Sequence, residues 1–229
     1  TSWPKASLIG WPGMARPLAR AMSQGSWTLM SRTNSFARDI ASDLREQGLF
    51  YEIKGFPSVK KEIAEAINIW EGLQKGDEIG LHEVRRLYEL APKTGDGAVI
   101  KRGMLPLLDA EPVDATYTYE SLVNNLGLLA GKDTDALDIL RLGNDEKYYI
   151  RALRRRDEIL TERPRLKVST FHAMKGGEDE NVVVHLDSTK PCVTNPDQDD
   201  EHRVFYVGLT RVKKNLHIVE SQKKYRYDI

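Results

Sequence analysis

The chain has 229 residues, enough for one large domain or two modest ones. It is 40% hydrophobic and 30% charged, which excludes a disordered chain, and its 34 basic and 34 acidic residues cancel, so any nucleic-acid role must rest on a local patch. The only cysteine, Cys192, excludes an intramolecular disulfide and a cysteine-rich zinc site and fits a reducing cytosol, while no apolar run reaches the length of a membrane span and no signal peptide is visible.

Residues 1–25 hold scattered Pro4, Pro12 and Pro17 with Trp3 and Trp11, and give no regular pattern. The opening Thr-Ser-Trp-Pro lacks an initiator Met, as a fragment or cloned domain would. Trp27–Ser31 reads as a short buried strand, and Asn34 is placed to cap the helix after it. Phe36, Ile40 and Leu44 share one face of that helix, Gly48 ends it, and "LFYEI" forms the next strand. This β-α-β pattern predicts a parallel sheet covered by helices. From residue 58 to 160 the texture is almost wholly helical, with amphipathic stripes at Val59, Ile63, Ile67, Trp70 and Leu73 and at Val84, Leu87, Tyr88 and Ala91. Two further helices are read in "ESLVNNLGLLAG" and "NDEKYYIRALRRRDEIL". Strand texture returns in "RLKVST" and "NVVVHLD", followed by a helix in "DDEHRVFYVGLTR" and a last strand in "NLHIVES". The organisation is one α/β domain made from residues 1–57 and 161–229, interrupted by a helical insertion over 58–160.

Motifs that hold a nucleoside triphosphate and its metal are missing. No G-x-x-x-x-G-K-[S/T] is present, since "KTGDGAVIK" lacks the spacing and "AMKGGED" puts Lys before the glycines. No Asp-Glu pair follows an apolar strand, no two histidines stand at metal-ligand spacing, and no nucleophile elbow occurs.

Three ordered segments carry more information: "WTLMSRTNSFARDIASDLREQGLFYEI", "VSTFHAMKGGEDENVVV" and "DDEHRVFYVGLTRVKKNLHIV". Together they resemble motifs IV, V and VI of the UvrD/Rep/PcrA-like superfamily 1 DNA helicases. In that family two RecA-like domains clamp ATP, and the second, 2A, is interrupted by a helical domain, 2B. The resemblance implies that this chain is 2A with a 2B insertion, a RecA-like parallel sheet with helices on both faces. It implies a 3′→5′ ATP-dependent DNA helicase of repair or replication, cytoplasmic and associated with a bacterial or phage nucleoid. Its partners would be single-stranded or partly duplex DNA and an N-terminal RecA-like domain, which would hold most of the ATP and Mg²⁺ and without which the chain would be inactive.

The residue types suit that chemistry. Phosphoryl transfer gathers negative charge on the γ-phosphate, and guanidinium groups stabilise it. By resemblance, Arg32 reaches the γ-phosphate from motif IV and Arg211 is the arginine finger of motif VI. Taken alone, Arg32 is a strand-end arginine and Arg211 a cation near a helix C-terminus, favoured by the dipole. In motif V, Thr170 and His172 match DNA-contacting positions, Gly176 permits close backbone approach, and Glu178 matches the acceptor for the nucleotide ribose. Lys175 serves either DNA phosphate or loop structure. Where the family reads K-G-L-E followed by an aromatic or apolar residue, this chain has Lys175-Gly176-Gly177-Glu178-Asp179, so an apolar anchor is missing on both sides of Glu178. Trp27, Trp70, Tyr88 and Tyr206 are read as core residues. The competing function is a non-catalytic RecA-like module that binds a protein partner.

Overall fold

The computed structural model describes residues 5–10, 21–22, 24–174, 176–220 and 224–228. Trp3, Trp11 and Lys175 lie outside these, as does the DNA-phosphate or loop role read for Lys175. The chain forms two compact units, one from Thr1–Ser58 with Ala152–Ile229 and one from Val59–Arg151.

In the first unit the chain runs through β1 (Lys5–Gly10), β2 (Trp27–Ser31), helix α1 (Asn34–Glu46), β3 (Tyr51–Ile53) and β4 (Phe56–Pro57). The helix begins one residue earlier than the sequence suggested. Thr33, with extended backbone, is the N-cap, and its hydroxyl accepts the Phe36 amide at 3.3 Å, so Asn34 is already the first helical residue. Gly48, at φ +65°, takes the left-handed position that closes the helix.

The second unit carries α2 (Lys61–Lys75), β5 (Ile79–Gly80), α3 (Leu81–Leu90), α4 (Met104–Leu107), β6 (Thr116–Tyr117) and α5 (Tyr119–Asn125), and α6 (Asn144–Arg154) runs past its last residue. The reading of this stretch as almost wholly helical is corrected here. Irregular chain fills 91–103 and 126–143, and β5 and β6 pair antiparallel. Pro92 ends α3, and Gly127, at φ +66°, stops the helix expected to run through "ESLVNNLGLLAG". The irregular chain is held by the core aromatics. Fully buried Trp70 donates its indole N–H to the Thr134 carbonyl at 2.8 Å, and fully buried Tyr88 donates its hydroxyl to the Leu126 carbonyl at 3.0 Å.

The chain then completes the first unit with β7 (Leu166–Thr170), β8 (Asp179–His185), α7 (Lys190–Val193), α8 (Gln198–Leu209) and β9 (Val212–Glu220). The strands form one sheet in the order β1-β9-β8-β2-β7-β3-β4, parallel throughout except for the β3–β4 hairpin. Side chains alternate between two cores. Leu29, Val168 and Val183 pack with Ile40, Ala41 and Leu44 of α1, whereas Met30, Val182 and Val184 pack with Phe171 and with Phe205 of α8. Burial on both faces explains why β2 and β8 read as continuous apolar runs. Trp27, 3% exposed, stacks on His217 within this sheet. Tyr206 departs from its expected core position and is 67% exposed. The buried residues of α8 are Glu201, Phe205 and Gly208, spaced along one helix face, and Tyr206 is one residue round from it.

Candidate functional site

Parts of the three segments singled out in the sequence meet on the face of the sheet opposite α1, where Met30, Phe171 and Phe205 share one core. Helix α8 lies across this face, running against the strands. Its N-terminal part meets the C-terminal end of β2, where Arg32 stands, and its C-terminal end meets the start of β8. The motif V loop, described over 171–174 and 176–178, links the end of β7 to the start of β8. Phe171 joins loop to helix: it is 1% exposed and its ring centroid lies 4.8 Å from that of Phe205. Gly208 lets the two approach, because a Cβ there would fall 2.6 Å from the Phe171 ring.

At the start of β8 the loop closes on Arg211. The Asp179 amide donates to the Arg211 carbonyl at 2.9 Å, and Arg211 Nη1 reaches the Gly177 carbonyl at 3.5 Å. The rest of the guanidinium is folded back on its own helix end, with Nε donating to the Val207 carbonyl at 2.9 Å and Nη2 to the Thr210 hydroxyl at 3.1 Å. This satisfies helix-terminal acceptors and sets a cation at the negative end of the dipole. Glu178 is exposed and sits 3.5 Å from Lys213, a contact that solvent screens. Gly176 has φ +84° and nothing within 4 Å of where a Cβ would lie, so within the chain it serves the left-handed backbone rather than a close approach.

The loop is anchored despite the missing apolar residues. Asp179 is 5% exposed, and its carboxylate accepts from the Ser26 hydroxyl, from the Thr28 hydroxyl at 2.8 Å and from the Glu180 amide at 2.8 Å. A polar anchor into β2 thus replaces the expected apolar one. At position 177, a Cβ would lie 2.9 Å from Met174 Cε, so Met174 occupies the neighbouring space. Sequence reasoning recorded Asp179 only as a departure. Its partners, Ser26 and Thr28, lie more than 150 residues earlier, and only the sheet brings them together.

At the other end of α8, Arg32 Nε and Nη2 grip the Glu201 carboxylate at 2.9 and 2.6 Å, a two-pronged pair with side chains 19% and 6% exposed. The hydrogen bond from Arg32 holds the Glu201 carboxyl below its usual range against the opposing effect of burial, with smaller contributions from Cys192 and His172. The same bond raises the already high Arg32 pKa. His172 is exposed beside this pair, next to Thr170, whose hydroxyl accepts the Ala173 amide at 3.4 Å. Phe171, His172, Arg203, Val204 and Val207 line a cleft of about 190 Å³ here. The structure therefore brings Arg211, Gly177 and Glu178 together at the end of the sheet where β8 begins, and Arg32 and His172 to the end where β2 and β7 finish. It does not bring Arg32 and Arg211 to one point. Glu201 and Leu209 alone are separated by about 12 Å along the helix axis, at the usual rise per residue.

Among the described residues, no helix is long and apolar enough to cross a membrane. No curated protein matches the chain. The family model described as the UvrD-like helicase C-terminal domain matches residues 146–223, which include β7, the motif V loop, β8, α8 and β9. Residues 146–223 are therefore similar to the C-terminal domain of UvrD-like helicases.

Proposed function

We propose that the chain is the C-terminal motor portion, 2A with a 2B insertion, of an ATP-dependent 3′→5′ DNA helicase or translocase. In this reading residues 1–57 and 161–229 form the RecA-like 2A domain and residues 58–160 the 2B-like insertion. The observation that carries it is the closure of the motif V loop on Arg211. Asp179 N–H and the Arg211 carbonyl are joined at 2.9 Å, so the backbone next to Glu178 runs beside Arg211, which supports a shared wall for the two.

That wall suits the nucleotide. Arg211 supplies a permanent cation and a fork of N–H donors for the charge that develops on the γ-phosphate, and Glu178 supplies an acceptor for a ribose hydroxyl. Gly176 leaves the loop surface open to the ligand. The N-terminal RecA-like domain supplies the opposing wall, the triphosphate cradle and the carboxylates for Mg²⁺. When ATP draws the two domains together, Arg211 exchanges the Val207 and Gly177 carbonyls and the Thr210 hydroxyl for phosphate oxygens, and hydrolysis releases it. At the other end of the sheet, Thr170 and His172 face single-stranded DNA. The cleft floored by Phe171, Val204 and Val207 gives a base an apolar surface there, with Arg203 at its rim.

The test is Arg211→Ala in the complete two-domain motor. Loss of one donor to transition-state charge is expected to lower kcat by about 10²–10³ while ATP affinity changes little. An equal loss of ATP binding in a folded variant would make Arg211 a binding or structural group and refute the assignment.

A further inference from the structure

Arg32 was expected at the γ-phosphate, yet its guanidinium is spent on Glu201 at the end of α8 remote from Arg211. We infer that Arg32 and Glu201 are positioning residues: together they pin the N-terminal part of α8 to the end of β2 and so set the helix that carries Arg211. The inference rests on the proposed motor function and deepens it.

Three observations carry it. The first is geometry. A guanidinium that donates through both Nε and Nη2 to one carboxylate is fixed in direction as well as distance, which a single contact would not achieve. The second is burial. Glu201 is 6% exposed at its side chain, and releasing Arg32 to a phosphate would leave that carboxylate in the interior without its principal partner. The third is placement. Arg32 follows directly on β2, a central strand, and Glu201 shares the buried face of α8 with Phe205 and Gly208, the residues that meet Phe171 of the motif V loop. A shift of α8 at Glu201 therefore moves the Phe171 contact, with His172 beside it, and moves Arg211 at the helix end. The pair makes one rigid element of the DNA-facing and nucleotide-facing ends, so that a displacement felt at His172 reaches Arg211 through packed side chains.

The experiment is a mutant cycle in the complete motor, reading ATP hydrolysis with and without a single-stranded oligonucleotide. The variants are Arg32→Gln, Glu201→Gln and the double variant, with Arg32→Lys added because it keeps the charge and loses the two-pronged grip. Each single variant is expected to reduce DNA stimulation of kcat roughly tenfold while the KM for ATP stays within about twofold, and the double variant is expected to be no worse than Arg32→Gln alone. Arg32→Lys is expected to resemble Glu201→Gln, which separates positioning from simple loss of charge. A large rise in KM for ATP with Arg32→Gln, and none with Glu201→Gln, would make Arg32 a phosphate contact and overturn the inference. Effects that multiply in the double variant, or full DNA stimulation in all variants, would overturn it as well. Arg211→Ala run in parallel separates the two failures: if it too leaves hydrolysis unchanged, the motor reading has failed rather than the positioning role alone.

Discussion

Replacing Asp179 with alanine tests whether a polar anchor holds the motif V loop. The carboxylate accepts three hydrogen bonds, from the hydroxyls of Ser26 and Thr28 and from the Glu180 amide. Thr28 is fully buried, so its hydroxyl cannot turn to water once the carboxylate is gone. A buried donor left unsatisfied costs about 1–3 kcal/mol, and bonds to a charged acceptor contribute about 1.5–3 kcal/mol each. The desolvation of Asp179 itself, removed by the substitution, offsets part of this. A net loss of about 3 kcal/mol is expected, which lowers amide protection roughly a hundredfold. Because the chain has two compact units, the measurement should report on the sheet unit alone, and hydrogen exchange of the β2 and β8 amides does so. Adding Thr28→Val removes the orphaned hydroxyl and should recover about 1 kcal/mol. If Asp179→Ala changes protection of these amides by less than about threefold, or if Thr28→Val deepens the loss, the anchor argument is wrong.

Two further outcomes are expected. Burial holds the His217 imidazole below its ordinary value of 6.5. The unfolded chain therefore takes up a proton first, and the contribution to stability is complete above that pH and falls as pH drops through the lower folded-state value. The unfolding midpoint of the sheet unit should decline as pH falls below about 6.5, and His217→Phe, which keeps a ring against Trp27, should flatten that slope; an unchanged slope would assign it to other groups. The 229-residue chain alone is expected to show no appreciable ATPase, and robust magnesium- and DNA-dependent hydrolysis by a highly purified preparation would refute its reading as half a motor.

Much of the local structure was legible because it depends on neighbours in sequence. The periodicity of Ile40 and Leu44 marked α1, the apolar runs around Leu29 and Val183 marked strands buried on both faces, and the stripes through Trp70 and Tyr88 marked core. Boundaries failed where one residue of side-chain chemistry decides, as with Thr33 in place of Asn34 at the cap. The reading of 58–160 as almost wholly helical failed because composition does not show that irregular backbone, such as that over 126–143, can be held by distant donors like the Trp70 indole and the Tyr88 hydroxyl. Tyr206 was misplaced because a short helix with several apolar residues fits more than one choice of buried face, and the sheet chose the face of Phe205 and Gly208.

The sequence by itself determined the residue types at the site, their order and their resemblance to helicase motifs, since these are properties of short segments. It also raised the doubt over Gly177 and Asp179. Only the tertiary structure decided that Asp179 is anchored by Ser26 and Thr28, that Arg211 closes on the motif V loop, and that Arg32 is held by Glu201 at the opposite end of α8. Each of these joins residues far apart along the chain, and the hydrogen bonds that join them form only once a parallel sheet has brought the strand ends into register.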